Sequence, residues 1–240
     1  MTSLVIPVAV EPVNETLPIA LWTASSFAPD LVPILIGEPI QLEPYLAEYP
    51  YSRILPFMGQ GTDRQINTTR MLSAALEDDE ITDPFVWSND DIYFLRPTSL
   101  DDIRVAGATA RKRLEENPPT GMYGRQAHLT LDVLRSLRKP TWDYERHVPI
   151  LVHKERMRLA LSLGPGAYPR SMYQNLAFER PAFIHRDVKA FNEAQLPEIV
   201  RKEQFFSSGN RFPIEAVRRA TGWASAALDG AGADAAEPRG

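Results

Sequence analysis

Strand, helix and strand follow one another within the first 40 residues, and that order leaves this 240-residue chain few architectures to adopt. Leu4 to Val10 is apolar on both faces, the pattern of a central strand covered from two sides. Asn14 or Thr16 can cap a helix that opens at Leu17, where Pro18 suits the first turn. Val32 to Ile36 makes a second strand closed by Gly37, and Ser52 to Phe57 a third. The expected fold class is α/β, a mixed and mostly parallel sheet flanked by helices.

The densest chemistry lies in Phe85-Val86-Trp87-Ser88-Asn89-Asp90-Asp91-Ile92-Tyr93-Phe94-Leu95. An apolar run enters three polar residues and an apolar run leaves them, so a buried strand ends in two carboxylates. Adjacent carboxylates at a sheet edge repel each other and lose hydration unless a cation or donors meet them. A hard divalent ion, Mg²⁺ or Mn²⁺, is one partner; a polar β-turn is the other reading, since Asn and Asp are turn residues. Upstream, Gly59-Gln60-Gly61 leads into Thr62 and Gln65, spaced as a capping box. The helix that follows shows Arg64, Asn67 and Arg70 on one face, either a phosphate-binding face or a solvated one.

Further on, the pattern predicts a helix over about Asp101 to Glu116, with Arg104, Arg111, Lys112 and Arg113 exposed, and another from Gly124 to Leu137. His128 falls three residues from Leu131, at the edge of that helix's core face. Trp142-Asp143-Tyr144-Glu145-Arg146-His147-Val148-Pro149-Ile150 enters an apolar strand, and Glu145 and His147, two apart, share one face if it is extended. A His beside a carboxylate is an acid/base or metal pair, or a hydrogen-bonded strand edge. Pro181 to Lys189 reads as a strand carrying His185 and Asp187, and Pro213 to Ala226 as a last helix.

An apolar share of 44% supplies a core, and a net charge of −5 argues against a general nucleic-acid binder. With no cysteine, disulfides and thiolate chemistry are excluded. The opening ten residues lack a basic segment and Pro7 breaks their apolar run, so a signal peptide is not expected, nor is any membrane span. The expectation is a cytoplasmic protein with one domain over residues 1–226 and a disordered tail over 227–240.

The Phe85 to Leu95 stretch resembles the Asn-Asp-Asp segment of the Stealth family. That family includes capsular polysaccharide phosphotransferases and the N-acetylglucosamine-1-phosphotransferase of lysosomal enzyme tagging. Asn14-Glu15-Thr16-Leu17 is similar to the start of the family's first helix, Tyr144 to Pro149 to its His-x-Pro segment, and Ser171-Met172-Tyr173-Gln174-Asn175 to a further one. The chain departs from the family after the first strand, where Val10-Glu11-Pro12-Val13-Asn14 stands. It also looks like small glycosyltransferases of actinobacteria and their phages. Both resemblances imply a GT-A-like, Rossmann-like fold that takes a nucleotide-diphosphate sugar as donor. They imply Asp90 and Asp91 as ligands of Mn²⁺ or Mg²⁺; on the mechanism this suggests, Arg64, Asn67, Arg70 and Asn89 would bind the donor. His147, His128 or Asp187 would activate an acceptor hydroxyl on a glycan, a protein or a modified nucleobase. Glycosyl transfer is the first reading; sugar-1-phosphate transfer and a non-catalytic nucleotide-sugar or glycan-binding module are the alternatives.

Overall fold

The computed structural model describes residues 1–8, 15–47, 49, 52–58, 64–116, 120–177, 182–183, 188–209 and 212–222. In chain order the described elements begin with β1 (Thr2–Pro7), α1 (Leu17–Phe27), β2 (Leu31–Gly37), α2 (Pro39–Leu46), β3 (Arg53–Pro56), α3 (Arg64–Glu77), β4 (Phe85–Trp87) and β5 (Ile92–Phe94). Then come α4 (Leu100–Gly107), β6 (Thr109–Ala110), α5 (Gly121–Ser136), β7 (Ile150–Val152), α6 (Lys154–Leu163) and α7 (Pro169–Ala177). The last are β8 (Ala182–Phe183), β9 (Lys189–Ala190), α8 (Leu196–Lys202), β10 (Phe205–Ser208) and α9 (Ile214–Thr221).

The main sheet has the order β3-β2-β1-β4-β7, so β1 is central, as its two-sided apolar sequence predicts. Four strands run parallel, and β7 returns antiparallel on β4. Side chains alternate in period two, which splits the core into two layers. Val5, Phe85 and Trp87 face α3, α5, α6 and α7, while Leu4, Ile6 and Val86 face α1, α2 and α4. A second sheet, β5-β10-β9, packs Tyr93 and Phe206 against Ile19 of α1 and Val217 of α9. β6 and β8 form a two-residue parallel pair.

Several local expectations change. Thr16 is the N-cap residue of α1 yet makes no side-chain cap; its hydroxyl accepts a hydrogen bond from Tyr93 at 2.7 Å, which ties α1 to the second sheet. The long helix expected to reach Glu116 stops at Gly107, because the chain then pairs twice elsewhere. Thr109 and Ala110 join β8, and Leu114 and Arg111 bond the backbone of Thr141 and Asp143. Arg111 and Lys112 are consequently half-buried rather than exposed. The segment Asp143 to Pro149 is a loop, not a strand; of the strand expected over Pro181 to Lys189, the described residues hold β8 and the start of β9. The glycine turn, the capping box, Trp223 and the tail lie outside the described residues. No described helix is long and apolar enough to cross a membrane.

Gly107 lets the end of α4 seat directly on β7. A Cβ placed there would meet Ile150 Cγ2 at 3.1 Å and Ile150 Cα at 3.3 Å, and the backbone atom cannot yield as a side chain can. Gly107→Val should therefore destabilise the protein by roughly 1–3 kcal/mol through overpacking. Urea unfolding measures it; an unchanged midpoint would show that α4 moves freely on β7.

Candidate active site

In an open α/β sheet the ligand crevice lies at the carboxyl ends of the strands, where the strand order reverses. Here that point falls between β1 and β4, which have β2 and β7 as their outer neighbours. At the end of β4 the chain makes a β-turn, with the Ile92 N–H donating to the Asn89 carbonyl at 3.3 Å. The polar-turn reading of Asn89-Asp90-Asp91 is thus correct as geometry. The turn also sits at the crevice and carries the chain from the main sheet into the second one.

The antiparallel return of β7 places Ile150 opposite Trp87, so the loop ahead of Ile150 reaches the same edge as Asn89. Helix α7 grips that loop with four buried polar side chains. Arg170 donates to the carbonyls of Arg146 and Val148, both at 2.6 Å. Ser171 accepts from the Tyr144 N–H, and its own N–H and hydroxyl donate to Glu145 Oε1 at 3.0 and 3.1 Å. Asn175 exchanges two bonds with the Trp142 backbone, and Gln174 donates to the Gly107 carbonyl. A loop with this many buried carbonyls needs such donors, because each unsatisfied one costs about 1–3 kcal/mol.

Between the Asn89 turn and this loop opens a cavity of about 540 Å³. Asn89, Trp87, Glu145 and His147 line it at the sheet edge, Thr68 and Thr69 of α3, Tyr123 and Gln126 of α5 and Arg170 of α7 from the helices, and Arg111, Lys112, Asp143 and Arg146 from the loops. Asp143 accepts from the Glu145 N–H at 2.9 Å and pairs with Arg111 at 3.3 Å. Burial pushes the Glu145 carboxyl above the ordinary glutamate range, and the neighbouring Asp143 pushes the same way; Arg170 and the two Ser171 donors oppose this and do not cancel it. A carboxyl anchored through one oxygen, set in a cavity wall and held toward its protonated form, suits a group that takes up and releases a proton.

The predicted residues divide. His147 and Asn89 meet in the cavity wall. His128 lies on the exposed side of α5, not at the core edge, and Arg70 is exposed on α3. Asn67 is half-buried on α3, one residue from the lining Thr68. Arg64 begins α3 but its side chain lies outside what is described, as does Asp187 entirely. Reading the sequence as a helix through Glu116 hid Arg111 and Lys112. The alternation of Asp143, Glu145 and His147 in an apolar setting was the signal for the loop.

Asp91 turns toward the second sheet. Its Oδ2 accepts from Lys189 Nζ and from Ser207 Oγ, each at 3.2 Å, and its carbonyl accepts from the Ser208 N–H. Its Oδ1 is buried and accepts no hydrogen bond among the described residues. A buried carboxylate oxygen lacking a donor is an acceptor a hard cation satisfies, and Asp90, half-buried beside it, offers a second carboxylate. Among the described residues no three His, Asp or Glu side chains are placed to hold a metal ion together, but Mg²⁺ binds through one or two carboxylates together with substrate phosphates. The pair fits that role.

Because Glu145 holds its proton more tightly folded than unfolded, its contribution to stability is fully present below the ordinary glutamate range. It is lost as pH rises through the higher folded value. Glu145→Gln removes that loss, so the variant should gain stability relative to wild type as pH goes from about 4 to about 8. Urea unfolding at three pH values reads this; a difference that does not change with pH would place the carboxyl in an ordinary solvated setting.

Among solved structures the chain is similar to the galactosyltransferase LgtC in complex with donor and acceptor sugar analogs, with a TM-score of 0.50 and 10% identity over 88% of each chain. An active-site mutant of LgtC matches with a TM-score of 0.47 and 10% identity over 82% of this chain and 77% of that one. No family model and no curated protein matches the sequence. At this identity the first likeness speaks to fold alone: the chain has a mixed α/β, GT-A-like fold, with a mostly parallel sheet flanked by helices.

Proposed function

We propose that the protein is a glycosyltransferase that moves a sugar from a nucleotide-diphosphate sugar to an acceptor hydroxyl. The observation that carries this is the Ser171-anchored Glu145 carboxyl, whose proton affinity burial raises, in a cavity that opens at the topological switch point beside the Asn89-Asp90-Asp91 turn. A nucleotide-sugar donor is what the likeness to a donor- and acceptor-bound galactosyltransferase suggests for this fold.

The donor lies across the carboxyl ends of β1 and β4. Asp90 and Asp91 would hold Mn²⁺ or Mg²⁺ there, which would supply charge neutralisation for the leaving diphosphate. Asn89 orients the donor from the turn. Arg64, Asn67 and Arg70, at the amino-terminal half of α3, are the reserve of polar and charged donors for the phosphates. The acceptor occupies the cavity. Its hydroxyl oxygen bonds to the anomeric carbon, the bond from that carbon to the diphosphate oxygen breaks, and the nucleoside diphosphate leaves with the electron pair. The hydroxyl proton passes to Glu145, and His147 in the same wall directs the hydroxyl by hydrogen bonding. His128 and Asp187 have no assigned step in this scheme.

Incubation with Mn²⁺, a panel of nucleotide sugars and hydroxyl acceptors should release nucleoside diphosphate. Glu145→Gln should lower turnover by roughly 10²–10⁴ with the fold intact by circular dichroism. Nucleoside monophosphate as the product would instead mark Stealth-type sugar-1-phosphate transfer, and binding without either product a non-catalytic module. Asp91→Asn should raise the Mn²⁺ concentration needed for half-maximal rate; an unaltered requirement would remove the ion from Asp91.

A further inference from the structure

The cations of the cavity wall are committed to the protein itself. Arg111 pairs with Asp143, Arg146 donates to the Thr109 hydroxyl and the Ala106 carbonyl, and Arg170 donates to the carbonyls of Arg146 and Val148. Lys112 is engaged within the chain as well. Recognition of an entering ligand therefore falls to other groups of the wall.

Two of these lie one turn apart on α5. Tyr123, Gln126 and Ala127 hold the i, i+3 and i+4 positions of one helix face, and all three line the cavity. Ala127 belongs to the core, Gln126 is half-buried and Tyr123 is 55% exposed, so this face runs from the interior to the cavity mouth. Tyr168, just ahead of α7, fixes it in place. The Tyr168 N–H donates to the Thr130 hydroxyl and its phenol donates to the Tyr123 carbonyl, both at 2.8 Å.

Gln126 carries a hydrogen-bonding capacity that the described residues leave unmet. Its backbone carbonyl accepts from the Thr130 hydroxyl, but its Oε1 is buried and accepts no hydrogen bond among the described residues. A buried acceptor without a donor is costly, and the terminal amide torsion is soft, so a rotation brings this oxygen to a donor in the cavity. Beside it Tyr123 offers an exposed aromatic ring. An amide next to an aromatic face matches a sugar ring, which carries hydroxyls at its edge and C–H groups on its faces. Leu72, Leu114 and Met157 of the same wall take C–H surface rather than charge.

We infer that the acceptor is a neutral sugar whose ring packs on Tyr123 and one of whose hydroxyls donates to Gln126 Oε1, so that these two residues set acceptor specificity. The inference rests on the glycosyl-transfer reading in calling the ligand an acceptor; the sugar site itself is independent of turnover. Gln126 and Tyr123 hold the ring, which leaves another of its hydroxyls for Glu145 and His147 in the same cavity. Neither Asp90 nor Asp91 lines this cavity, so a sugar here leaves the place of the donor diphosphate open.

Isothermal titration of the full chain with the methyl glycosides of glucose, galactose and mannose tests this, with glucuronate as the acidic comparison. At least one neutral glycoside should bind, and no less tightly than glucuronate. Gln126→Leu should weaken it roughly three- to tenfold, the worth of one hydrogen bond. Tyr123→Ala should weaken it by a similar factor, and Tyr123→Phe, which keeps the ring, should not. Among monodeoxy analogues of the bound sugar, one should lose that same factor in the wild type and nothing further in Gln126→Leu, a coupling that a merely structural glutamine does not produce. Saturation with UDP or GDP should leave the sugar bound. Binding of none of the neutral glycosides, tighter binding of glucuronate, an unchanged affinity in Gln126→Leu or Tyr123→Ala, absence of the coupling, or displacement by the nucleoside diphosphate would each overturn the inference. A chain that transfers to a non-sugar hydroxyl and binds no glycoside keeps the glycosyl-transfer reading and loses this one. A chain that shows the coupling yet releases no nucleoside diphosphate keeps the sugar site and loses that reading.

Discussion

The site depends on one strand pairing. β7 could have extended the sheet in the parallel sense of its neighbours, and the residues ahead of it would then have arrived at the opposite edge. Because it pairs antiparallel with β4, Ile150 faces Trp87, and the loop from Asp143 to Pro149 comes to the carboxyl edge where β4 ends. Everything that distinguishes the cavity follows from that reversal. The turn at Asn89 forms one rim, the loop forms another, and α3, α5 and α7 close the rest.

A loop in that position buries backbone, and the structure meets the demand from a single helix. Arg170, Ser171, Gln174 and Asn175 lie on the loop-facing side of α7, two i,i+4 pairs on adjacent ridges, and each hydrogen-bonds the loop or the end of α4. The arrangement couples architecture to chemistry. The Ser171 hydroxyl that accepts from the Tyr144 backbone also donates to Glu145, so the carboxyl in the cavity is positioned by the same contact that shapes the loop. The ordinary stability of a domain is only about 5–15 kcal/mol, and four buried polar anchors at about 1 kcal/mol each are a sizeable part of it. The acidic turn has a similar double character. One Asp91 oxygen fastens β9 and β10 of the second sheet through Lys189 and Ser207, while the other is buried and accepts no hydrogen bond among the described residues.

Much of the fold was legible in the sequence. Helix α1 opens at Leu17 as its pattern predicts, and the central place of β1 follows from an apolar run with no polar face. What failed did so where non-local pairing overrode local periodicity. The helix pattern past Gly107 is as good as the pattern before it, but Thr109 and Ala110 pair with a strand more than seventy residues downstream. Glu145 and His147 do meet in one wall, though as loop residues held by α7 rather than as alternate positions of a strand. His128 has helical spacing to core leucines and still faces solvent, since the core stripe of α5 is set by Ala127, Leu131 and Leu134.

The sequence by itself determined the α/β class, the central strand and the existence of an acidic turn at a strand end, because period-two and period-3.6 patterns and turn residues act over a few positions. Only the tertiary structure decided which groups share a cavity. That choice rests on strand order, on the sense of β7 and on the donors of α7, all of them contacts between residues far apart in the chain. No local pattern shows that Arg111, Asp143 and Arg170 stand around one space, and only burial inside that space raises Glu145 above an ordinary carboxyl.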